Sequence, residues 1–199
     1  MLKVSNLSLQ RGSRQLFKDL SFGLAGGQVL QIRGSNGSGK SSLAAVIAGD
    51  LRADSGEVLF NDRKDLSIIE LSRMRGVLLQ ELEIDFPISV QDYVQLGNSF
   101  KKPEEVLNRL NLQEISTNKI TELSFGQLQR VEMAQLLLQD PQLFILDEPF
   151  SAQDQINTKL FKELFWELKK SEKMIILINH IDFDLEGLVD QVVDLDLFK

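Results

Sequence analysis

The 199-residue sequence contains no cysteine, one histidine, one tryptophan, one tyrosine and four prolines. The absence of cysteine excludes disulfides, thiolate metal sites and cysteine nucleophiles, and it suits a reducing compartment. The longest uninterrupted apolar run, Leu43 to Ala48, has six residues, whereas a membrane-spanning helix needs about 20. The amino-terminal segment alternates polar and apolar residues without a signal-peptide core, so we expect the chain to stay where it is made.

Basic residues are outnumbered, because 22 Lys and Arg stand against 29 Asp and Glu and give a formal net charge of −7. This acidic balance disfavours general binding to nucleic acid or to an anionic membrane, and we expect no nucleic-acid partner. Hydrophobic residues make up 43% and charged residues 26% of the chain, as in ordinary soluble globular proteins. At this length we expect a single domain, 1–199, with enough chain to bury a core.

Short apolar runs separated by helical patterns indicate the fold class. Four continuous runs predict strands covered on both faces: Val29–Ile32, Val77–Leu79, Leu143–Leu146 and Met174–Ile178. Apolar residues between Leu2 and Leu9 alternate with polar ones, which predicts half-exposed antiparallel strands, and Glu57–Phe60 is a further candidate. Strands that alternate with helices predict an α/β fold with a mostly parallel sheet and a small antiparallel part. The mostly helical pattern of about 80–139 predicts an inserted helical subdomain, with the core formed by 1–79 and 140–199.

One glycine-rich segment carries a phosphate-binding motif. Gly34-Ser35-Asn36-Gly37-Ser38-Gly39-Lys40-Ser41, followed by Ser42, fits the pattern G-x-x-x-x-G-K-[ST] between a predicted strand and a predicted helix. Its glycines let backbone N–H groups converge on phosphate oxygens, and the helix N-terminus adds partial positive charge. We expect Lys40 to reach the β- and γ-phosphates and the Ser41 hydroxyl to coordinate Mg²⁺. The motif predicts a nucleotide site that takes ATP and Mg²⁺.

Two carboxylates, Asp147 and Glu148, come directly after the apolar run Leu143–Leu146. Open α/β sheets bind their ligands at the carboxyl ends of core strands. Asp147 is therefore a candidate Mg²⁺ ligand, and Glu148 is a candidate general base that polarises the attacking water. The pattern alone also fits an exposed turn, but the phosphate-binding motif favours the functional interpretation.

The segment Leu123-Ser124-Phe125-Gly126-Gln127 precedes the acidic pair. It resembles the LSGGQ signature of ATP-binding-cassette (ABC) ATPases, with Phe125 in place of the first signature glycine. Other family elements occur in the family's order: Gln80 fits the Q-loop, segment 149–154 resembles the D-loop and His180 occupies the H-switch position. The motifs extend over the whole chain, which is identified by them as a member of the ABC ATPases.

The resemblance implies a phosphate-loop NTPase fold with a RecA-like core and assigns catalytic roles. Gln80 would touch Mg²⁺ or water and sense the γ-phosphate, whereas His180 would hydrogen-bond to the γ-phosphate and the attacking water. The family usually places an aromatic residue near the end of the first strand to stack on adenine, where this chain has Gln10 or Arg11. The planar guanidinium of Arg11 is the candidate substitute, and we expect looser discrimination between bases.

The signature residues imply a dimer. Ser124, Gly126 and Gln127 would contact ATP held by the phosphate loop of a partner, which implies a head-to-tail homodimer or a heterodimer with another ABC subunit. Ser124 and Gln127 also fit a helix capping box. Asp154, assigned to the nucleotide site through the D-loop, equally fits the N-cap of the following helix.

The resemblance further implies a Mg²⁺-dependent ATPase that docks on separate transmembrane permease subunits at the cytoplasmic face of a membrane and powers transport. Segment 85–94 falls where transporters form the groove for the coupling helix of the membrane subunit, and ordinary packing is the alternative. This region resembles importers of metal ions, iron chelates or cobalamin, whereas the amino-terminal segment resembles the haem exporters of cytochrome c maturation. Two other functions stay open: a soluble ABC ATPase outside transport and a non-hydrolytic nucleotide-binding regulatory module.

Overall fold

The computed structural model describes residues 1–79, 86–98, 100–151, 153–179, 185 and 187–199. The candidate site residues Gln80 and His180 therefore lie outside the described residues. The strands are β1 (Leu2–Arg11), β2 (Arg14–Leu24), β3 (Val29–Arg33), β4 (Ser55–Phe60), β5 (Arg75–Leu78), β6 (Leu143–Asp147), β7 (Met174–Ile178) and β8 (Gln191–Asp194). The α-helices are α1 (Lys40–Ala48), α2 (Ile68–Met74), α3 (Val90–Gln95), α4 (Glu104–Arg109), α5 (Phe125–Gln139) and α6 (Gln155–Lys170).

A parallel sheet with the strand order β5-β6-β7-β3-β8 forms the centre of the fold. Every residue of β6 and β7 is buried, because both faces of these strands are covered by other elements. The parallel arrangement places the carboxyl ends of β3 and β6 at one edge of the sheet. The segments after these two strands carry the phosphate-binding motif and the acidic pair, so the topology brings the two motifs together.

A second sheet is antiparallel and has β1 between β2 and β4. Strands β1 and β2 are joined at Gly12 and Ser13, and Arg11 pairs with Arg14 across the end of this hairpin. The buried side of the small sheet shares one hydrophobic core with α1 and with residues of the parallel sheet. The hairpin end is thereby held beside the phosphate-binding segment.

The predicted fold class is confirmed, and several strand bounds need correction. Strands β3 and β6 each end one residue later than predicted, and β4 begins two residues earlier. The predicted strand Val77–Leu79 begins earlier, at Arg75, because Arg75 already pairs with Leu143 of β6. It ends at Leu78, one residue earlier than predicted, and Leu79 is 48% exposed. Strands β2 and β8 were not predicted, since the alternation of β2 is imperfect and β8 has only four residues.

Helices α3, α4 and α5 fall within the segment predicted to be helical, and α5 also contacts β5. They share a second hydrophobic core with Phe144 and Leu146 of β6. The division of the chain into a core and a helical subdomain stays a prediction. No helix in the described part of the chain has the length and hydrophobicity of a membrane span.

One buried carboxylate of this helical region gives a test of stability. Glu132 of α5 is only 7% exposed, and burial raises the pKa of its carboxyl to about 7. The unfolded chain ionises this group from about pH 4.5, before the folded protein does, so the folded state loses stability as pH rises through this window. A Glu132→Gln variant avoids that loss. We expect the unfolding free energy of Glu132→Gln minus that of wild type to increase by about 2 kcal/mol between pH 5.5 and pH 8.

The measurement is denaturant unfolding of wild type and Glu132→Gln at both pH values. Glu105→Gln, which changes an exposed glutamate of α4, is the matched control and should show no such widening. A constant difference between wild type and Glu132→Gln across this pH range would contradict the prediction.

Candidate nucleotide-binding site

The phosphate-binding segment forms a loop between β3 and α1, as the motif requires. A side chain on either of two of its glycines would crowd a neighbouring residue. A Cβ on Gly34 would lie 2.5 Å from the Ser38 hydroxyl oxygen, and one on Gly39 would lie 3.0 Å from the Cβ of Leu16. Both residues also have positive φ angles, 147° and 106°, which favour glycine. The loop geometry therefore depends on glycine at these positions.

Lys40, the first residue of α1, is 6% exposed. Its amine donates hydrogen bonds to the carbonyl oxygens of Gly34 and Ser35, at 2.9 and 3.1 Å, and thus spans the loop. Burial lowers the pKa of the amine from its usual value, and the carboxylates of Glu148 and Asp147 act in the opposite direction. A buried ammonium at the start of a helix is suited to an anionic ligand.

The Ser41 hydroxyl donates a 2.9 Å hydrogen bond to an Oδ atom of Asp147 at the end of β6. The structure thus brings together two of the three residues predicted to bind Mg²⁺, and the third, Gln80, is outside the described residues. Magnesium is bound in proteins by one or two oxygen side chains together with substrate phosphates and water. A hydroxyl and a carboxylate at this separation fit that ion.

Glu148 is held in an unusual backbone conformation. Its φ angle is 52°, a left-handed value that a non-glycine residue adopts at an energetic cost. Its amide donates to the Ile178 carbonyl at 2.9 Å, and its own carbonyl accepts from Gln129 and from Ser151. The side chain is 7% exposed and lies close enough to influence the pKa of Lys40. The carboxylate is thus near the phosphate loop, as a general base requires.

A cavity of about 580 Å³ lies over the phosphate loop, within the range of small-molecule sites. Its lining comprises the candidate residues Arg11, Asn36, Gly37, Gly39, Lys40, Ser41, Ser42 and Asp147 together with Arg14 and Leu16. Arg14 was not predicted. Its guanidinium lies over Gly37, where a Cβ would be 3.4 Å from one guanidinium nitrogen. Arg14 could have been found from the sequence, because it comes directly after the Gly12–Ser13 turn. A hairpin at this turn places Arg14 beside Arg11.

The other three candidate loop residues are not on the cavity lining. Gly34 and Ser38 pack against each other, and the Ser35 amide and hydroxyl donate to the Asp196 carboxylate at 2.7 and 2.8 Å. Hydrogen bonds from Lys199 and from Ser35 lower the pKa of Asp196 to about 2. Asp196 was not predicted, because nothing in the sequence indicates that the segment after β8 reaches the phosphate loop.

The signature residues lie at the start of α5. Ser124 accepts from the Gln127 amide at 3.3 Å and the Gln127 side chain accepts from the Ser124 amide at 2.9 Å, so the predicted capping box is confirmed. Asp154 likewise accepts from the Asn157 amide at 2.8 Å as the N-cap of α6. Ser124, Gly126, Gln127 and Asp154 are not among the described residues that line the cavity. Their assignment to nucleotide binding stays a prediction.

A larger cavity, about 680 Å³, lies between α4, α5 and α6. Five of its charged side chains pair with one another: Arg109 with Glu167, and both Lys173 and Lys101 with Asp140. None of its described lining residues belongs to the phosphate-binding motif, the acidic pair or the signature. The cavity over the phosphate loop is therefore the candidate site.

The fold and the cavity over the phosphate loop define a phosphate-loop nucleotide-binding protein. Comparison with known proteins gives the family: a model described as ABC transporter matches residues 17–151. The chain belongs to the ABC transporter family of ATP-binding subunits.

Two relatives and one solved structure illustrate the similarity. The chain is 35% identical over 175 residues to the hemin import ATP-binding protein HmuV of Pseudoalteromonas translucida, covering 77% of this chain and 67% of the relative. It is 32% identical over 211 residues to the manganese transport system ATP-binding protein MntB of Halalkalibacterium halodurans, covering 98% and 83%. A dimeric ATP-binding cassette with bound ADP and Pi has the same fold, with a TM-score of 0.85, 23% identity and coverage of 98% and 94%.

Proposed function

We propose that this chain is a Mg²⁺-dependent ATPase that works as a dimer and powers transport through separate transmembrane permease subunits. The observation that carries the proposal is the convergence of Lys40, the Ser41–Asp147 pair and Glu148 at the carboxyl ends of β3 and β6. Relatives named for hemin import and for manganese transport support the transport role. Their transported substrates differ, whereas ATP is common to their names, so the proposal concerns the ATP-driven step.

Each residue has a distinct part in the proposed reaction. Backbone N–H groups of the loop and the Lys40 ammonium hold the phosphates, and Ser41 and Asp147 would hold Mg²⁺. When bound, the ion would neutralise part of the charge on the phosphates. The Glu148 carboxylate orients the attacking water and accepts its proton. Gln80 and His180 remain proposed contacts to the γ-phosphate.

In the proposed dimer, Ser124, Gly126 and Gln127 of one subunit face the ATP of the other. Their helix start provides backbone N–H groups and partial positive charge that suit a γ-phosphate. Phe125 stands exposed at this point and makes the loop bulkier than a glycine would. Closure of the dimer is therefore proposed to be weaker than with two glycines.

ATP turnover and membrane association test this function separately. The purified chain should hydrolyse ATP with Mg²⁺ and not with EDTA, and Asp147→Asn should lose this activity. In cell extracts the chain should sediment with membranes and be released when its permease subunits are absent. ATPase activity without membrane association would favour the soluble ABC ATPase, and nucleotide binding without hydrolysis would favour the regulatory module.

The arginines of the β1–β2 hairpin bear on whether the site distinguishes ATP from GTP. The described lining of the cavity has no aromatic side chain to stack on adenine, and Arg14 lies over the loop glycine Gly37. A cation at this place attracts phosphate irrespective of the base. We therefore expect ATP and GTP to differ less than about fivefold in affinity, and Arg14→Ala to weaken both by roughly tenfold.

Titration with ATP, GTP and ADP measures these affinities. Arg52→Ala, which removes an exposed arginine that is not on the cavity lining, should leave all three unchanged. A loss confined to ATP in Arg14→Ala would contradict a phosphate contact and indicate recognition of the base.

A further inference from the structure

A chain of hydrogen bonds joins the start of α5 to the strained peptide of Glu148. The Gln129 side chain donates from Nε2 to the Glu148 carbonyl at 3.0 Å. Its Oε1 accepts from Gln153 Nε2 at 2.7 Å, and the same Gln153 nitrogen is 3.3 Å from the Gly126 carbonyl. Gln129 is 1% exposed, so water does not compete for these contacts.

The placement of Gln129 matters because Glu148 has the left-handed φ of 52°. A strained backbone persists only where surrounding contacts hold it. Here the amide is bound to β7 through Ile178, and the carbonyl is bound by Ser151 from its own turn and by Gln129 from another helix. Of these two donors to the carbonyl, only Gln129 lies on α5, the helix that begins at the signature, so it connects the Glu148 peptide to that helix.

We infer that Gln129 is a positioning residue for the proposed base, which it acts on through the Glu148 main chain. The inference rests on the proposed function, since Glu148 must be the base for its orientation to affect hydrolysis. Through Gln153 the same hydrogen bonds reach the Gly126 carbonyl, so a shift at the signature helix is transmitted to Glu148. A base displaced by about 1 Å loses up to about 100-fold in rate.

The test replaces Gln129 with methionine, which keeps the length of the side chain and removes its amide. We expect kcat for ATP to fall about 10- to 100-fold while KM and ATP affinity stay within about twofold. Gln139→Met is the matched control. Gln139 lies on the same helix and donates to the carbonyls of Ser72 and Arg75, so its replacement also removes side-chain amide hydrogen bonds to the backbone but does not affect Glu148.

A double-mutant cycle separates positioning from general damage to the structure. In single-turnover reactions with excess protein, Gln129→Met should not slow the residual hydrolysis of Glu148→Gln any further, because the group it positions is already absent. Equal losses in both backgrounds would overturn the inference, since they would indicate a merely structural role.

The remaining outcomes are distinct. An active wild type with a Gln129→Met variant as fast as Gln139→Met would overturn this inference and leave the proposed function intact. A wild-type protein that hydrolyses no ATP would overturn both.

Discussion

A Glu148→Gln variant is expected to hydrolyse ATP at least about 100-fold more slowly than wild type and to bind ATP with unchanged affinity. Glutamine keeps the size and shape of the side chain but has no carboxylate to accept the proton of the attacking water. Glu148 is buried beside Lys40 at the phosphate loop. The measurements are steady-state phosphate release and ATP titration.

The chain itself provides a matched control for this substitution. Glu132 is also 7% exposed, but it lies on α5 and its carboxyl is not among the described groups around the phosphate loop. Glu132→Gln should therefore hydrolyse ATP as fast as wild type. Similar activity in the two variants would contradict the assignment of Glu148 as base.

The same variant tests the proposed dimer, because it should hold ATP without consuming it. We expect Glu148→Gln to elute from gel filtration as a monomer without nucleotide and as a dimer with ATP. In the Glu148→Gln protein, Phe125→Gly introduces the glycine of the family signature. It should strengthen the dimer, since it removes an exposed aromatic ring at the start of α5. If Glu148→Gln stayed a monomer with ATP, both with Phe125 and with Phe125→Gly, the prediction that the chain dimerises without other subunits would be wrong.

The phosphate loop and the acidic pair could be predicted from the sequence because each is a local pattern that follows the end of a strand. Lys40 and Ser41 were predicted from the spacing of the phosphate-binding motif, and Asp147 from its position after a buried strand together with that motif. The parallel sheet brings Ser41 and Asp147 within hydrogen-bonding distance. The capping roles of Ser124 and Asp154 were predicted for the same reason, since a cap depends on residues three positions away.

The residues that were missed depend on contacts between distant parts of the chain. Arg14 reaches the cavity through the pairing of β1 with β2, and Asp196 binds Ser35, which is 161 residues away. In the sequence, Gln129 is one of several glutamines in a predicted helix, and only the packing of α5 on the segment after β6 shows its partner. Register and packing of this kind are not encoded in a local motif.

Replacement of Lys40 by methionine is expected to weaken ATP binding by roughly 30-fold or more and to abolish measurable hydrolysis. The amine is the buried cation of the cavity over the phosphate loop, and its hydrogen bonds to Gly34 and Ser35 show that it reaches across the loop. Without it, the phosphates keep the backbone N–H groups but lose their ammonium partner. ATP titration and phosphate release measure the two losses.

The stability of the nucleotide-free protein should change in the opposite direction. A lowered pKa means that the net interaction of the charged Lys40 with the folded protein is unfavourable, because desolvation outweighs the attraction of the nearby carboxylates. A neutral methionine removes that cost, so Lys40→Met should unfold at the same temperature as wild type or higher. At the same ATP concentration, the rise in unfolding temperature should be smaller than in wild type.

Lys173 offers the contrasting substitution. It is nearly as buried, 9% exposed, but its amine pairs with the Asp140 carboxylate at 2.7 Å near the amino-terminal ends of β6 and β7. Lys173→Met should therefore bind ATP like wild type and unfold at a lower temperature, since it leaves Asp140 without this partner. An equal loss of stability in both methionine variants would contradict the prediction that the charged Lys40 destabilises the nucleotide-free protein. If Lys40→Met raised the unfolding temperature and Lys173→Met lowered it, the Lys40 ammonium would be a cation that destabilises the protein and is needed for phosphate binding.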